Sequence, residues 1–326
     1  MQNQTNRSII IAIDIDDFLT SMETKALHRK GWLDPVHHSE KHFIMAEFNY
    51  GDRDYQVENV LTPGCIEFFR FLFEYDYIRP AFFSSGIRAR NIDLAEKIVQ
   101  TAIDAGGDPE WMNRYDVYSR EDCFDTEMLH YSIDKEIRRK FQPKHFFGNY
   151  KKDLRMIYYG REKYHVLHEQ VFKDVSVLLP DHEKDKPLLE NLVLVEEDPS
   201  YLFPGQEKNM LLCPTYNHPY PYLINHHGED TPCDPDDYMD QFKSSNTIFY
   251  ATGVLNRALE RHVSEGLPIT EILWQEQGSL WIDRNRYKER YPIHFFTKGR
   301  DILRKYNPEL NFAVASSEPG KRGTSH

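Results

Sequence analysis

The fold is decided by residues 9 to 20, which read Ile-Ile-Ile-Ala-Ile-Asp-Ile-Asp-Asp-Phe-Leu-Thr. The first five residues are aliphatic and uninterrupted, a pattern typical of a strand buried on both faces of a parallel sheet. Asp14, Asp16 and Asp17 follow at the carboxyl end of this strand, the edge where open α/β sheets bind ligands. Carboxylates this close repel one another, so the stretch predicts a divalent cation or a proton between them. A solvated acidic turn is the alternative.

Two of these acids suit two tasks in one reaction. Asp14 and Asp16 lie two residues apart and would point the same way if the strand geometry continued. One carboxylate could then attack a substrate while the other transfers a proton.

The composition limits the class of protein. The 326 residues suffice for one large domain, or for one domain plus a smaller one. Acidic side chains outnumber basic ones by 52 to 40, a net charge of -12, which argues against nucleic acid as a partner. The four cysteines lack metal-ligand spacing and predict reduced thiols. Because neither a secretory signal nor an apolar stretch of about 20 residues is visible, the expected location is the cytoplasm.

Strands and helices are predicted over much of the chain. Thr62-Pro63 starts a helix after a hairpin, and two later apolar runs end in polar residues, one in Ser84 and the other in Glu196-Glu197-Asp198. A long loop or linker is predicted over 204–240. The predicted strands are 9–13, 43–48, 55–61, 80–83, 116–118 and 191–195, and the predicted helices are 65–73, 91–103 and 246–277, the last with a break at 266–268.

The strand ends carry groups that suit one kind of chemistry. Small hydroxyls and a glycine, as in Ser84-Ser85-Gly86, can bind an oxyanion through side-chain and backbone donors. Acids, a lysine and a hydroxyl in one site suit phosphoryl transfer with a divalent metal.

At this point the motifs resemble a known family. The order of D-x-D, a strand-end serine, a lysine and an acidic cluster is similar to that of the haloacid dehalogenase (HAD) superfamily, in particular to its small phosphatases that act on the RNA polymerase II C-terminal domain. The most specific match is Gly-Asn-Tyr-Lys-Lys-Asp-Leu at 148–154. Nothing after residue 245 resembles that family. The other matches are the hairpin and Pro-led helix of 43–69, Arg-Glu-Asp-Cys at 120–123 and Pro-Ser-Tyr-Leu-Phe at 199–203.

The resemblance implies roles for four residues. Asp14 would be the nucleophile that forms an aspartyl-phosphate, and Asp16 the general acid for the leaving group and then the base for water. Ser84 would bind a phosphate oxygen. Lys152 would neutralise the phosphoryl charge and hold Asp14.

The resemblance also implies Mg²⁺ as the cofactor. Its ligands would be Asp14, the backbone carbonyl of Asp16 and one acid of the 196–198 run. Alignment of the acidic motif selects Glu197, with Asp198 as the rival.

The implied fold class is α/β, with a Rossmann-like HAD core, a parallel sheet, a β-hairpin and inserted cap elements, plus a smaller helical C-terminal region. Phe18 departs from the family, which usually has a threonine there, and Thr20 follows later. The expected plan is a HAD-like domain at 1–215 with insertions near 124–147 and 155–190, a linker at 216–245, a helical region at 246–313 and a disordered tail at 314–326.

The expected substrate follows from the same resemblance. Relatives with an open cleft and a hairpin act on protein, so phosphoprotein is favoured, with phosphotyrosine slightly ahead of phosphoserine and phosphothreonine. The sequence is also compatible with HAD tyrosine phosphatases that intracellular bacteria inject as effectors, which would place it in the host cytosol. Two alternatives remain open: a small-metabolite phosphatase with a covering cap, and a catalytically inactive scaffold that binds anionic lipid.

Basic residues are concentrated near the C-terminus. Residues 281–305 carry eight basic and three acidic side chains. A solvated helical face that pairs with the acidic body is the favoured interpretation. The alternative is peripheral contact with anionic phospholipid such as phosphoinositide. The lipid-binding candidates are Arg284, Arg286, Lys298 and Arg300, with Trp281, Tyr287, Phe295 and Phe296 as interfacial aromatic residues.

Overall fold

The computed structural model describes residues 8–21, 43–128, 135, 139, 141, 149–162, 164, 189–216, 222–224, 230–232, 235–282 and 291–313. The strands are β1 (Ile9–Ile13), β2 (Thr20–Ser21), β3 (Phe43–Tyr50), β4 (Arg53–Leu61), β5 (Ile78–Phe83), β6 (Asp116–Tyr118), β7 (Phe124–Asp125), β8 (Tyr150–Lys151), β9 (Leu192–Glu196), β10 (Met210–Leu212), β11 (Tyr222–Ile224) and β12 (Asp230–Pro232). The α-helices are α1 (Cys65–Phe73), α2 (Arg88–Asp104), α3 (Arg155–Tyr159), α4 (Pro235–Ser245), α5 (Thr247–Glu265), α6 (Ile269–Ile282) and α7 (Ile293–Leu303).

A parallel five-stranded sheet in the order β10-β9-β1-β5-β6 forms the centre of the fold. Strand β1 occupies the middle, and Ile13 at its end pairs with Phe82 of β5 and Val195 of β9. The residues that follow these three strands therefore meet at one edge of the sheet. The α/β fold with a Rossmann-like core is confirmed.

The two faces of β1 belong to two hydrophobic clusters. Ile9, Ile11 and Ile13 pack with α1, α2 and the C-terminal helices, whereas Ala12 packs with Leu194 and with residues near β8. This division follows from the period of two along a strand. Asp14 follows Ala12 by two residues, and Glu196 follows Leu194 by two residues. The alternation therefore brings both carboxylates to the face of the sheet that carries the cluster of Ala12 and Leu194.

The hairpin of β3 and β4 is attached to α2. The backbone N–H of Glu47 donates to Asp93 Oδ2 at 2.8 Å, and Lys97 Nζ donates to the carbonyl of Met45 at 2.7 Å. Strand β2 pairs with the end of β4 and so joins the hairpin to the turn after β1. The hairpin thus begins beside the acidic turn.

The C-terminal helices share their core with the sheet. Helices α5 and α7 pack so closely that a Cβ added at Gly253 would lie 2.1 Å from the carbonyl oxygen of Phe295, and one at Gly299 would lie 1.8 Å from that of Phe249. Side chains of α5, α6 and α7 belong to the same hydrophobic cluster as α1 and α2. None of the described helices is both long enough and apolar enough to cross a membrane.

Several boundaries differ from those expected. The stretch 204–240, predicted as a loop or linker, contains β10, β11, β12 and the start of α4. Strand β9 ends one residue later than predicted, so that Glu196 belongs to the strand. Phe18 is fully buried and packs edge-on against Phe68, with ring centroids 6.4 Å apart. The side chain at this position is therefore part of the hydrophobic core.

Much of the expected insertions at 124–147 and 155–190 and all of the tail at 314–326 lie outside the described residues, as do Arg284, Arg286 and Tyr287. Two expected interfacial aromatics, Phe295 and Phe296, are buried against Tyr250, because α7 packs against α5. They are therefore not available to a lipid surface. Lys298 is exposed, whereas Arg300 pairs with Asp301 at 2.9 Å and lies over the ring of Phe312.

The close approach of α5 and α7 gives a prediction about stability. Gly299→Ala is expected to lower the free energy of unfolding by about 3 kcal/mol or more, because the methyl group would overlap a backbone carbonyl that cannot move independently. Gly266→Ala is the control, since that glycine has open space and a φ of 69° and should cost about 1–2 kcal/mol through backbone strain alone. Urea unfolding checks both, and an equal or smaller loss for Gly299→Ala would contradict the close packing.

Candidate active site

Three strand ends supply the first residues of the site. Asp14 follows β1 and is only 5% exposed, Ser84 follows β5 and is fully buried, and Glu196 is the last residue of β9. The backbone N–H of Asp14 continues the sheet by donating to the carbonyl of Val195 at 2.9 Å. These residues are fixed by the regular pairing of the sheet and do not depend on a loop for their placement.

Lys152 approaches Asp14 and Glu196 from outside the central sheet. It follows β8, which pairs with β7, and its own backbone bonds to both sides of Leu202: its N–H donates to Tyr201 O at 2.6 Å, and its carbonyl accepts from Phe203 N at 3.2 Å. The ammonium group, 1% exposed, donates to Asp14 Oδ1 and to Glu196 Oε2. Lys152 therefore links β1 and β9 through their carboxylates.

Asp14, Glu196 and Glu197 form an acidic cluster. One oxygen from each of the three carboxylates can be chosen so that all three oxygens lie within 4.8 Å of one another, close enough to share a metal ion. Glu197 Oε2 is buried and has no hydrogen-bond partner among the residues that the structure describes. An orphaned buried carboxylate oxygen facing two further carboxylates suits a hard divalent cation such as Mg²⁺.

The charges of this cluster do not balance within the protein. Among the residues that the structure describes, these three carboxylates share one ammonium group, that of Lys152, which leaves an excess of two negative charges. Burial, followed by the Glu196 carboxylate, raises the pKa of both Asp14 and Glu197 well above the usual range. Burial opposes the charge of Lys152, but Asp14, Glu196 and Glu197 raise its pKa above the usual value. The cluster thus favours binding of protons or of a divalent cation.

Asp16 lies in a different electrostatic environment. Arg90 donates to both of its oxygens, from Nη1 to Oδ1 at 2.8 Å and from Nη2 to Oδ2 at 2.6 Å, and the hydroxyl of Ser84 donates to Oδ2 at 2.8 Å. Burial would raise the pKa of Asp16, but the charge and hydrogen bonds of Arg90 lower it below the usual value. Asp16 is therefore held as an anion.

The predicted site residues are only partly brought together. Asp14 and Glu197 belong to the acidic cluster, Lys152 donates to Asp14, and Ser84 contacts Asp16. The Asp198 side chain is outside the cluster: it caps the 3₁₀ turn of Pro199–Tyr201 by accepting from Ser200 N at 2.8 Å. Their catalytic and metal-binding roles remain predictions.

Arg90 was missed by the sequence reading. Its position in the first turn of α2, directly after the Ser-Ser-Gly strand end, was the available signal, because a cation at that point faces the carboxyl edge of the sheet. Glu196 was named as part of the acidic run but not singled out, because its membership in β9 decides its direction.

Tyr201 forms one side of the site. Its ring lies with its centroid 5.6 Å from Lys152 Nζ and is partly buried. Burial is the main cause that raises its pKa to about 12, so the phenol stays protonated at neutral pH. An uncharged aromatic ring therefore borders the buried charges.

The likeness of this chain to known proteins is distant. No protein-family model matches the chain, and no curated protein matches it. Among solved structures, the chain is similar to that of Fcp1, described as an essential RNA polymerase II CTD phosphatase, with 12% sequence identity and a TM-score of 0.39 over 95% of this chain and 69% of that one.

The acidic cluster predicts that Mg²⁺ stabilises the fold, and more strongly at higher pH. Because the pKa values of Asp14 and Glu197 are raised in the folded state, the stability of the metal-free protein should fall as the pH rises through them. Mg²⁺ should cancel this loss, whereas at low pH it must displace protons. At 100-fold excess over its dissociation constant, the expected gain is about 2.7 kcal/mol, measured by urea unfolding with Mg²⁺ and with a chelator.

Two neighbouring substitutions make the control for this effect. Glu197→Gln should remove most of the stabilisation by Mg²⁺, because it replaces a carboxylate of the cluster. Asp198→Asn keeps an acceptor for Ser200 N and should retain the stabilisation. Equal responses of the two variants would exclude the cluster as the metal site.

Proposed function

We propose that this protein is a Mg²⁺-dependent phosphomonoester hydrolase of the HAD type, acting through an aspartyl-phosphate on Asp14. The observation that carries the proposal is the buried contact of Lys152 with Asp14 and Glu196, beside the orphaned oxygen of Glu197. A carboxylate nucleophile, a fixed cation and a set of metal-ligating oxygens are what transfer of a phosphoryl group to an enzyme requires.

The side chains divide the reaction between them. Asp14 Oδ1 accepts a hydrogen bond from Lys152, so Oδ2 is the oxygen proposed to attack phosphorus. Lys152 balances the charge that develops on the phosphoryl oxygens. Asp16, an anion paired with Arg90, is suited to take a proton from the water that later hydrolyses the aspartyl-phosphate. Ser84 donates a hydrogen bond to Asp16 and so places its hydroxyl beside that carboxylate.

Mg²⁺ is proposed to sit at Asp14 and Glu197, with Glu196 adjoining. The orphaned oxygen of Glu197 and the excess of two negative charges support this assignment. When bound, the ion supplies positive charge that offsets the carboxylates and allows a phosphate dianion to approach Asp14.

The state of Asp16 bears on the substrate. As an anion it is a poor proton donor, so the site should favour a leaving group that departs with little protonation. A tyrosine phenolate, whose conjugate acid has a pKa of about 10, is a much better leaving group than the alkoxide of serine or threonine. The ring of Tyr201 offers an aromatic surface beside Lys152. We therefore favour phosphotyrosine in protein as the substrate.

The proposal predicts a strict requirement for Asp14. Asp14→Asn should lower kcat on a phosphotyrosine peptide by at least ~10³, because an amide cannot form the acyl-phosphate. Asp17→Asn is the matched control, since Asp17 lies in the same turn, is exposed, and has a φ of 57° that asparagine tolerates. Release of inorganic phosphate with and without Mg²⁺ is the measurement. Activity that survives Asp14→Asn would exclude this chemistry.

The leaving-group argument predicts a preference that can be measured separately. The ratio of kcat/KM for phosphotyrosine over phosphoserine, in peptides of otherwise identical sequence, should exceed ~10². Free phosphotyrosine and phosphoserine, assayed in parallel, separate recognition of the peptide from recognition of the leaving group. Equal rates on the two peptides would contradict the preference for tyrosine but not the hydrolase activity. Hydrolysis of the free compounds without hydrolysis of the peptides would favour a metabolite phosphatase.

A further inference from the structure

We propose that Arg90 is a positioning residue of this site, which holds the carboxylate of Asp16 in its working place and balances its charge. The inference rests on the proposed function and deepens it. Arg90 is only 5% exposed, and its guanidinium makes two parallel hydrogen bonds to Asp16. Such a pair fixes both the position and the plane of a carboxylate, which a single hydrogen bond does not.

The guanidinium is itself held by the surrounding residues. Asn91 Oδ1 accepts from Arg90 Nε at 3.1 Å and from Nη2 at 2.9 Å, and the Asn91 amide donates to Gly86 O at 3.2 Å and to Ser119 Oγ at 3.1 Å. Asn91 therefore ties Arg90 to the ends of two strands, β5 and β6. Arg90 has few alternatives to the conformation that meets Asp16.

Gly86 provides the space that this arrangement needs. A Cβ at Gly86 would lie 2.5 Å from Arg90 Nη2 and 2.8 Å from Asn91 Oδ1. A side chain there would push the guanidinium away from Asp16. The absence of a side chain at Gly86 is thus part of how the chain places Arg90.

Charge balance gives Arg90 a second effect through Asp16. Within the described part of the chain, the four carboxylates Asp14, Asp16, Glu196 and Glu197 face two cations, Lys152 and Arg90. A divalent cation in the acidic cluster would make the total neutral. Loss of Arg90 would leave the Asp16 carboxylate without its ion-pair partner, and the Ser84 hydroxyl would be its remaining hydrogen-bond donor among the described side chains, next to the place where the phosphate dianion must bind.

Arg88 offers a matched comparison on the same helix. It lies two residues earlier, is 32% exposed, and pairs with Asp122 at 2.9 Å. Arg161 also pairs with Asp122, at 2.6 Å, so Asp122 keeps a cation when Arg88 is replaced. Arg88→Met removes the same charge from the same helical turn without touching Asp16.

The test is a double-mutant cycle of Arg90→Met and Asp16→Asn on kcat and KM for p-nitrophenyl phosphate with Mg²⁺. Arg90→Met alone should lower kcat by about 10²-fold, since misplacement of a catalytic group by about 1 Å lowers the rate by about that factor. In the Asp16→Asn background the same change should have less than about a twofold effect, and Arg88→Met should also stay within about twofold. Arg90→Lys should recover part of kcat, because it restores the charge but not the two parallel bonds.

The outcomes separate this inference from the function on which it rests. If the wild-type protein shows no turnover that depends on Asp14, the proposed function is wrong, and the role of Arg90 is wrong with it. If the wild-type protein shows such turnover, but Arg90→Met has no effect or has the same effect with and without Asp16→Asn, only the role of Arg90 is wrong. Thermal unfolding checks each variant, and if Arg90→Met does not fold, Gly86→Ala replaces it in the cycle because it displaces the same guanidinium.

Discussion

The buried ammonium of Lys152 is the interaction on which the candidate site depends. A buried lysine is costly unless it is paired, and here it bonds to carboxylates from two neighbouring strands, Asp14 after β1 and Glu196 in β9. Without this cation, Asp14, Glu196 and Glu197 would face one another with no positive charge between them among the described residues. The segment that carries Lys152 is held in turn by backbone bonds to Tyr201 and Phe203, so the acidic motif after β9 and the lysine motif are placed as one unit.

The elements that the sequence predicted best are those whose local pattern agrees with their environment. The run Ile9–Ile13 is aliphatic because both faces of β1 are covered, and the same holds for Leu192–Glu196 apart from its last residue. Strand β10 was hidden in a stretch rich in proline, histidine and tyrosine. Its three residues are held by pairing with β9 and by Gln277, which bonds to both the N–H and the carbonyl of Leu212, and contacts this distant in sequence leave no local pattern.

The same distinction applies to the candidate site. Asp14 and Ser84 were identified because each directly follows a predicted strand, and Lys152 was identified only through the resemblance of its motif to a family. The choice among Glu196, Glu197 and Asp198 depends on where β9 ends, and a shift of one residue in a strand reverses which way a side chain points. Arg90 was not identified because its role depends on contact with Asp16, 74 positions earlier in the chain.

The two aspartates of the D-x-D motif therefore lie in opposite electrostatic environments although they are two residues apart. Asp14 shares one lysine with two other carboxylates, and burial raises its pKa, whereas Asp16 has an arginine of its own that lowers its pKa. Opposite shifts in neighbouring acids are what a reaction with a nucleophile and a separate proton carrier requires. In the proposed reaction, Asp14 would become an effective nucleophile only when further positive charge enters the acidic cluster, while Asp16 would be ready to accept a proton beforehand. Metal binding, rather than proton transfer, is thus the event that would switch this site from its resting charge distribution to a reactive one.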